Sequence, residues 1–240
     1  MLFASDMHLD PSRPEITQLF IDYLNEHGPK ADAVYLLGDL FEVWLGDKVS
    51  LGDYEDVIAC FRALSQTTTL FVLRGNRDFL LGEAFAKASR VTLLNDPQVV
   101  DLYGTPTLIT HGDLLCTDDV NYQRYRKIAT NRAVQWLALN LIPDRKKREI
   151  ARNMREASKR AQAQKQGDIM DVNHDEVRHW FNRYTVSQMI HGHTHRPGQH
   201  QYDTNMGTAQ RWVLGDWYTQ GSVIKVTAKA GPELQQLALS

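Results

Sequence analysis

Five apolar runs in this chain each stop at a cluster of Asp, Asn or His, and that recurrence limits the folds open to it. Met1 to Ser5 leads into Asp6-Met7-His8, Ala33 to Leu37 into Gly38-Asp39, and Thr69 to Leu73 into Arg74-Gly75-Asn76-Arg77-Asp78. Thr107 to Thr110 leads into His111-Gly112-Asp113, and Thr185 to Ile190 into His191-Gly192-His193-Thr194-His195-Arg196-Pro197. Short apolar runs bounded by glycine turns read as strands. Polar groups gathered at strand ends suit an α/β sheet, whose ligands collect in the loops past the strand termini. His193 and His195 stand two apart, so an extended backbone turns both imidazoles to one side. Each residue has an ordinary alternative. Gly-Asp is a common turn, Gly-Asn suits a left-handed position, and a lone histidine is more often a hydrogen-bonded core residue than a ligand. Joint recurrence at strand ends outweighs these single explanations.

Between the runs the pattern changes period. Ile16 to His27, Tyr54 to Leu64 and Leu81 to Ser89 repeat apolar residues at helical spacing. Val99 to Leu102 and Thr107 to Thr110 read as a hairpin turned at Tyr103-Gly104-Thr105-Pro106. Helices are expected over Val120 to Leu141, Arg145 to Gln164 and Asp175 to Tyr184, with closing antiparallel strands at Trp212 to Leu214 and Ser222 to Thr227. Strand–helix alternation followed by strand–strand alternation predicts a mixed sheet.

Charge separates one segment from the rest. Val120 to Lys165 holds 13 Lys or Arg against Asp144, Glu149 and Glu156, a balance of +10, so the remainder carries −12 of the net −2. An acidic remainder suits a scaffold that collects cations, and the basic helices interrupt the fold as an inserted cap over about residues 118–175. The basic block has no nucleic-acid reading motif, which counts against a nucleic-acid partner. Its stretch Ala133 to Pro143 is apolar, carries Trp136, and lies between Arg132 and Arg145-Lys146-Lys147-Arg148. That suits either a helix lying on an anionic membrane or a cap stripe buried on its neighbours. No apolar run approaches the ~20 residues of a membrane span. Cys60 and Cys116 have neither metal-knuckle nor redox spacing and read as free thiols, so a cytoplasmic protein is expected. At 240 residues with 42% hydrophobic content, one globular domain accounts for the chain.

Asp6, His8, Asp39, Asn76, His111, His193 and His195 together exceed the needs of one ion. Mixed imidazole, carboxylate and amide donors without thiolate suit Mn²⁺, Fe²⁺ or Zn²⁺ in a pair sharing a carboxylate. Such a pair acidifies water and clamps the oxygens of phosphoryl displacement, so no serine or cysteine nucleophile is needed.

In this order, Asp-x-His, Gly-Asp, Gly-Asn-x-Asp, His-Gly and Gly-His-x-His resemble the calcineurin-like metallophosphoesterase superfamily across Asp6 to His195. The resemblance implies a four-layer α/β/β/α sandwich of mixed sheets. It places Asp6, His8, Asp39 and His195 on one metal and Asp39, Asn76, His111 and His193 on the other, with Asp39 bridging.

A finer resemblance rests on Leu36 to Asp47, Gly75 to Gly82, His111 to Asp113 with Leu115 to Asp119, Ile169 to Asn173, and Ile190 to Pro197. Together these are similar to the family of UDP-2,3-diacylglucosamine pyrophosphohydrolases of lipid A biosynthesis in Gram-negative bacteria. It implies two Mn²⁺ ions, UDP-2,3-diacylglucosamine as substrate, UMP and 2,3-diacylglucosamine 1-phosphate as products, and a peripheral place on the cytoplasmic face of the inner membrane. No obligatory protein partner is implied. Asp39, Asn76, Arg77 and His111 become the catalytic set, and Asn76, Arg77, Asp119, Tyr122, Ser158, Gln162, Lys165 and His193 the substrate contacts. Gln162 stands where the family has asparagine, and Lys48 where a second aspartate is usual. Arg77 replaces a histidine common after Gly-Asn, which favours an anhydride over an ester: a phosphomonoester leaving group, second pKa ~6, needs little protonation. Rival readings are a phosphodiesterase acting on a cyclic nucleotide or dinucleoside polyphosphate, and a scaffold of the same fold without catalysis.

Overall fold

The computed structural model describes residues 1–153, 171–218 and 220–238. Strands β1 (Leu2–Ala4), β2 (Ala33–Leu37), β3 (Thr69–Leu73) and β4 (Thr92–Leu93) run parallel, the last three added in sequence order on one side of β1. On its other side β10 (Gln220–Thr227) and β11 (Ala230–Ala238) pair antiparallel, completing a six-stranded mixed sheet. The second sheet has the order β5 (Gln98–Leu102), β6 (Thr105–Thr110), β7 (Gln188–His191), β9 (Gly207–Val213), β8 (Gly198–Thr204). Within it β6, β7 and β9 are parallel, and β5 and β8 are antiparallel edges.

Period-two alternation along the strands builds the layers. Leu2, Val34, Leu36 and Val72 join a core with Phe20 of α1 (Pro14–His27), Phe61 of α3 (Glu55–Leu64) and Phe85 of α4 (Glu83–Ser89). Their neighbours Phe3, Tyr35, Leu37 and Leu73 point the other way and meet Ile109 and Ile190 of the second sheet. The far face of that sheet, Leu108 and Met189, packs on Val177, Trp180 and Phe181 of α8 (His174–Tyr184). Three buried seams between four layers give the expected α/β/β/α sandwich. A short helix α2 (Asp47–Ser50) lies in the loop after β2.

Several expectations need correction. Val120 to Leu141 is two helices, α5 (Val120–Ala129) and α6 (Arg132–Leu141), because Asn131 takes an extended backbone and its side chain accepts from the backbone N–H of Ala133 and Val134. Thr105 and Pro106 lie in β6, leaving Tyr103-Gly104 as a two-residue hairpin turn with both φ positive, 56° and 91°. The strand at Trp212 begins at Gly207 and pairs parallel to β7, so it does not share a sheet with the strand at Ser222. Strands β8 and β11 were not expected. Residues 144–153 are helical and are called α7. The rest of that expected helix, with Ser158 and Gln162, lies outside the described residues, as does Lys165.

Candidate metal centre

The five sequence clusters meet where the parallel strands end. Asp6 follows β1, Asp39 follows β2, Asn76 follows β3, His111 follows β6, and His193 and His195 follow β7. Asp6, His8, Asp39, His193 and His195 all hold positive φ, at 56°, 47°, 50°, 68° and 55°. Left-handed backbone at non-glycine residues costs roughly 1–3 kcal/mol apiece and persists only where its surroundings fix it. Two glycines permit the close approach. A Cβ on Gly75 would lie 2.1 Å from Asp39 Oδ1, and one on Gly192 would lie 2.2 Å from Asp6 Oδ2.

The side chains converge as two adjoining groups. Asp6, His8 and His195 present ligand atoms within 4.8 Å of one another, and so do Asp6, Asp39 and His111. In the first group His8 Nε2 is 3.4 Å from His195 Nε2, which is 3.3 Å from Asp6 Oδ1. In the second, His111 Nε2 is 3.0 Å from Asn76 Oδ1 and 3.7 Å from Asp39 Oδ1. Asp39 turns its other oxygen to His8 Nε2 at 3.9 Å, so its carboxylate faces both groups. The His193 ring lies 5.0 Å from that of His111, and its backbone N–H donates to Asp6 Oδ2.

Electrostatics favour cations here. Burial drives His8 down to about 3 and His193 down to about 4, which keeps both in the neutral form that ligates metals. Burial also lowers His111 and His195, but nearby carboxylates win. Asp39 and Asp6 lift His111 to about 9, and Asp216 and Asp6 lift His195 to about 10. Burial, with the charges of Asp78 and Asp6, holds Asp39 above the ordinary carboxylate range. His193 Nδ1 is buried and hydrogen-bonded to nothing among the described residues. His111 donates from Nδ1 to the Leu37 carbonyl at 2.9 Å, leaving Nε2 toward the centre. Convergent imidazole nitrogens, crowded carboxylate oxygens and a buried unbonded ring nitrogen fit divalent ions of the Mn²⁺, Fe²⁺ or Zn²⁺ kind.

A cavity of about 530 Å³ opens beside the second group, between Gly75-Asn76 and helices α5 and α6. Phe79, Leu80 and Leu139 supply apolar wall, Arg74 and Arg132 supply positive charge, and Arg126 is paired there with Asp113 and Asp96. Tyr122 lines it and sits 5.9 Å ring to ring from His193. Asp119 caps α5 by accepting from the Tyr122 backbone N–H at 3.1 Å.

The sequence matches the calcineurin-like phosphoesterase family model over residues 1–197. It is 46% identical over 235 residues to a UDP-2,3-diacylglucosamine hydrolase of Vibrio parahaemolyticus, covering 98% of this chain and 96% of that one. The chain belongs to the calcineurin-like phosphoesterase family. A UDP-2,3-diacylglucosamine hydrolase of Stenotrophomonas maltophilia is 47% identical over 245 residues, covering 99% of this phosphoesterase and 98% of its relative.

Reading the sequence missed the residues that orient this phosphoesterase's centre. Asp78, buried, accepts from the backbone N–H of Gly75 at 2.7 Å and Leu40 at 2.7 Å, tying the loop after β3 to the loop after β2. Asp113 accepts from Tyr122 Oη and Arg126 Nε, both at 2.5 Å, pinning α5 over His193. His191, by contrast, has the structural role expected for it outside the ligand set: it donates from Nδ1 to the Gly192 carbonyl and accepts from Arg211 at 3.0 Å. Asp216 lies 3.1 Å from His195 Nδ1. A carboxylate behind a ligating histidine fixes its tautomer, and its removal typically weakens metal affinity or activity 10–100-fold. Asp216→Asn should therefore weaken Mn²⁺ binding by roughly that factor in a calorimetric titration. Unchanged affinity would make the contact incidental.

Proposed function

We propose that this phosphoesterase hydrolyses the pyrophosphate bond of UDP-2,3-diacylglucosamine, giving UMP and 2,3-diacylglucosamine 1-phosphate. The observation that carries the reading is the joint one: converging donors beside a partly apolar cavity lined by Arg74 and Arg132, in a chain 46% identical over 98% of its length to a protein named UDP-2,3-diacylglucosamine hydrolase. In this reading Asp6, His8, Asp39 and His195 hold one Mn²⁺ and Asp39, Asn76, His111 and His193 the other. When bound, the ions supply Lewis acidity toward phosphoryl oxygens and lower the pKa of water.

The protein's own groups supply position and charge. Asp39 is set by the Arg77 backbone N–H, which donates to its Oδ1 at 2.8 Å. The Arg77 guanidinium has no carboxylate partner among the described residues, which leaves it to meet the phosphates. Arg77→Ala should lower kcat/KM for the lipid nucleotide roughly 100-fold, as removing one preorganised donor does. Untouched pyrophosphate cleavage would remove Arg77 from the mechanism. Tyr122 flanks His193, and its hydroxyl is fixed on Asp113. Asp119 serves substrate through the helix it caps, and Ser158, Gln162 and Lys165 are proposed contacts from the same cap, residues 118–175.

No helix among the described residues is long and apolar enough to cross a membrane. Ile128, Trp136, Leu137 and Leu141 are nevertheless 60%, 59%, 47% and 66% exposed on α5 and α6. Beside Arg132 and the basic run from Arg145 to Arg148, they suit docking on the anionic cytoplasmic face of the inner membrane. Trp136→Ala with Leu141→Ala should lower the fraction that floats with phosphatidylglycerol vesicles; equal flotation would leave these residues without a membrane role.

The reading is tested by incubating the Mn²⁺-loaded protein with UDP-2,3-diacylglucosamine and following both products by mass spectrometry. Formation of both supports it. Turnover of a cyclic nucleotide or dinucleoside polyphosphate with none of the lipid would replace it.

A further inference from the structure

Rings cross the site in a row. Tyr122 stands at one end, 5.9 Å from His193, which is 5.0 Å from His111. Beyond the carboxylates, His8 and His195 lie 5.3 Å apart, and Tyr218 closes the far end at 5.2 Å from His8 and 6.0 Å from His195. The cavity lies wholly at the Tyr122 end: it is lined by Asn76 and Tyr122 but not by His8, His195 or Tyr218. A diphosphate held across the centre has two substituents, and only one can enter that cavity. Acyl chains need its apolar wall. The other substituent must emerge at the Tyr218 end.

We propose that Tyr218 and Arg13 form the subsite for the nucleotide half of the substrate, a pyrimidine nucleoside 5′-phosphate; this rests on the function proposed above. Tyr218 is 44% exposed, yet its ring is held parallel to His8 within 9°, an ordered aromatic surface beside the reacting phosphate. Arg13 reaches the same place from the loop before α1. Its guanidinium carbon is 4.8 Å from the centre of the Tyr218 ring, and Nη2 donates to the His8 carbonyl at 2.6 Å. Arg13 has no carboxylate partner among the described residues, so its remaining N–H groups are available to a phosphate or ribose oxygen. An open surface also fits the product: UMP is hydrophilic and leaves to water, whereas the lipid stays in the cavity.

The test uses the Mn²⁺-loaded full chain with Arg13→Ala and Tyr218→Leu. UMP affinity, measured by calorimetry, should weaken roughly tenfold or more in each variant, the scale of losing one aromatic or cationic contact to a nucleotide. The kcat/KM for UDP-2,3-diacylglucosamine should fall with it, while turnover of bis(p-nitrophenyl) phosphate, a diester without a nucleoside, stays unchanged. Unchanged UMP affinity overturns the proposal. So does an equal loss on both substrates, which would mean that these residues act only through His8. The function stands or falls separately, on whether the unaltered protein hydrolyses the lipid. A protein that fails on the lipid but binds UMP through Arg13 and Tyr218 keeps the subsite and loses the function.

Discussion

Asp39→Asn is expected to lower kcat/KM for the lipid nucleotide by roughly three orders of magnitude, about 4 kcal/mol of transition-state stabilisation. Asp39, like Asp6, faces both donor groups, lying 3.9 Å from His8 Nε2 and 3.7 Å from His111 Nε2. Asparagine keeps its shape and an oxygen for the Arg77 backbone N–H, but not the charge that would join two cations. Burial, Asp78 and Asp6 disfavour the charge this change removes, His111 and Arg77 favour it, and the net is a carboxyl held above the ordinary range. The metal-free variant should therefore melt no lower than the metal-free parent, as is common where a site is organised for function over stability. Differential scanning calorimetry beside steady-state kinetics separates the two effects. Full activity in Asp39→Asn would dismiss a bridging role, and a lower metal-free melting temperature would mean that the loss is unfolding.

The second large effect concerns protons exchanged for metal. Without ions, His111 sits near 9 and His195 near 10, against about 6.5 for free histidine. Groups whose folded pKa is raised stabilise the fold fully below the unfolded value and lose that contribution as pH climbs through the folded one. Asp39, also raised, acts in the same direction but at lower pH, between the ordinary carboxylate range and about 7. His8 and His193, at about 3 and about 4, are neutral both folded and unfolded above about 6.5, so they do not oppose this. The metal-free protein should lose melting temperature between about pH 6.5 and about pH 10, and the Mn²⁺-loaded protein much less. Mn²⁺ binding at pH 7 should release protons, seen as a calorimetric enthalpy that varies with the ionisation heat of the buffer. A buffer-independent enthalpy would contradict the charge states assigned to His111 and His195.

Burial is written plainly in the sequence. Strands β2 and β3 match the expected bounds because strands covered on both faces read as unbroken apolar runs. The residues at their ends were equally visible, since Asp, Asn and His stand out after such runs. Edge strands did not show. In β8 only Tyr202 is buried, and β11 has no buried residue, so neither carries the alternation that marks a strand. The helix break at Asn131 was available as a capping signal, but the apolar spacing ran through it. Asp216 and Asp113 each follow a glycine, a common turn pair, and their partners His195 and Arg126 are 21 and 13 positions away. Tyr218 and Arg13 lie 205 positions apart and carry no joint pattern at all.

The most direct measurement is phosphorus NMR of the products formed from UDP-2,3-diacylglucosamine by the Mn²⁺-loaded protein in ¹⁸O-labelled water. A dinuclear centre with the lipid half in the cavity and the nucleotide phosphorus exposed to water predicts label in UMP and none in the sugar 1-phosphate. Label in the sugar 1-phosphate would place the attack on the other phosphorus and contradict this orientation of the substrate. No turnover of the lipid would contradict the function itself.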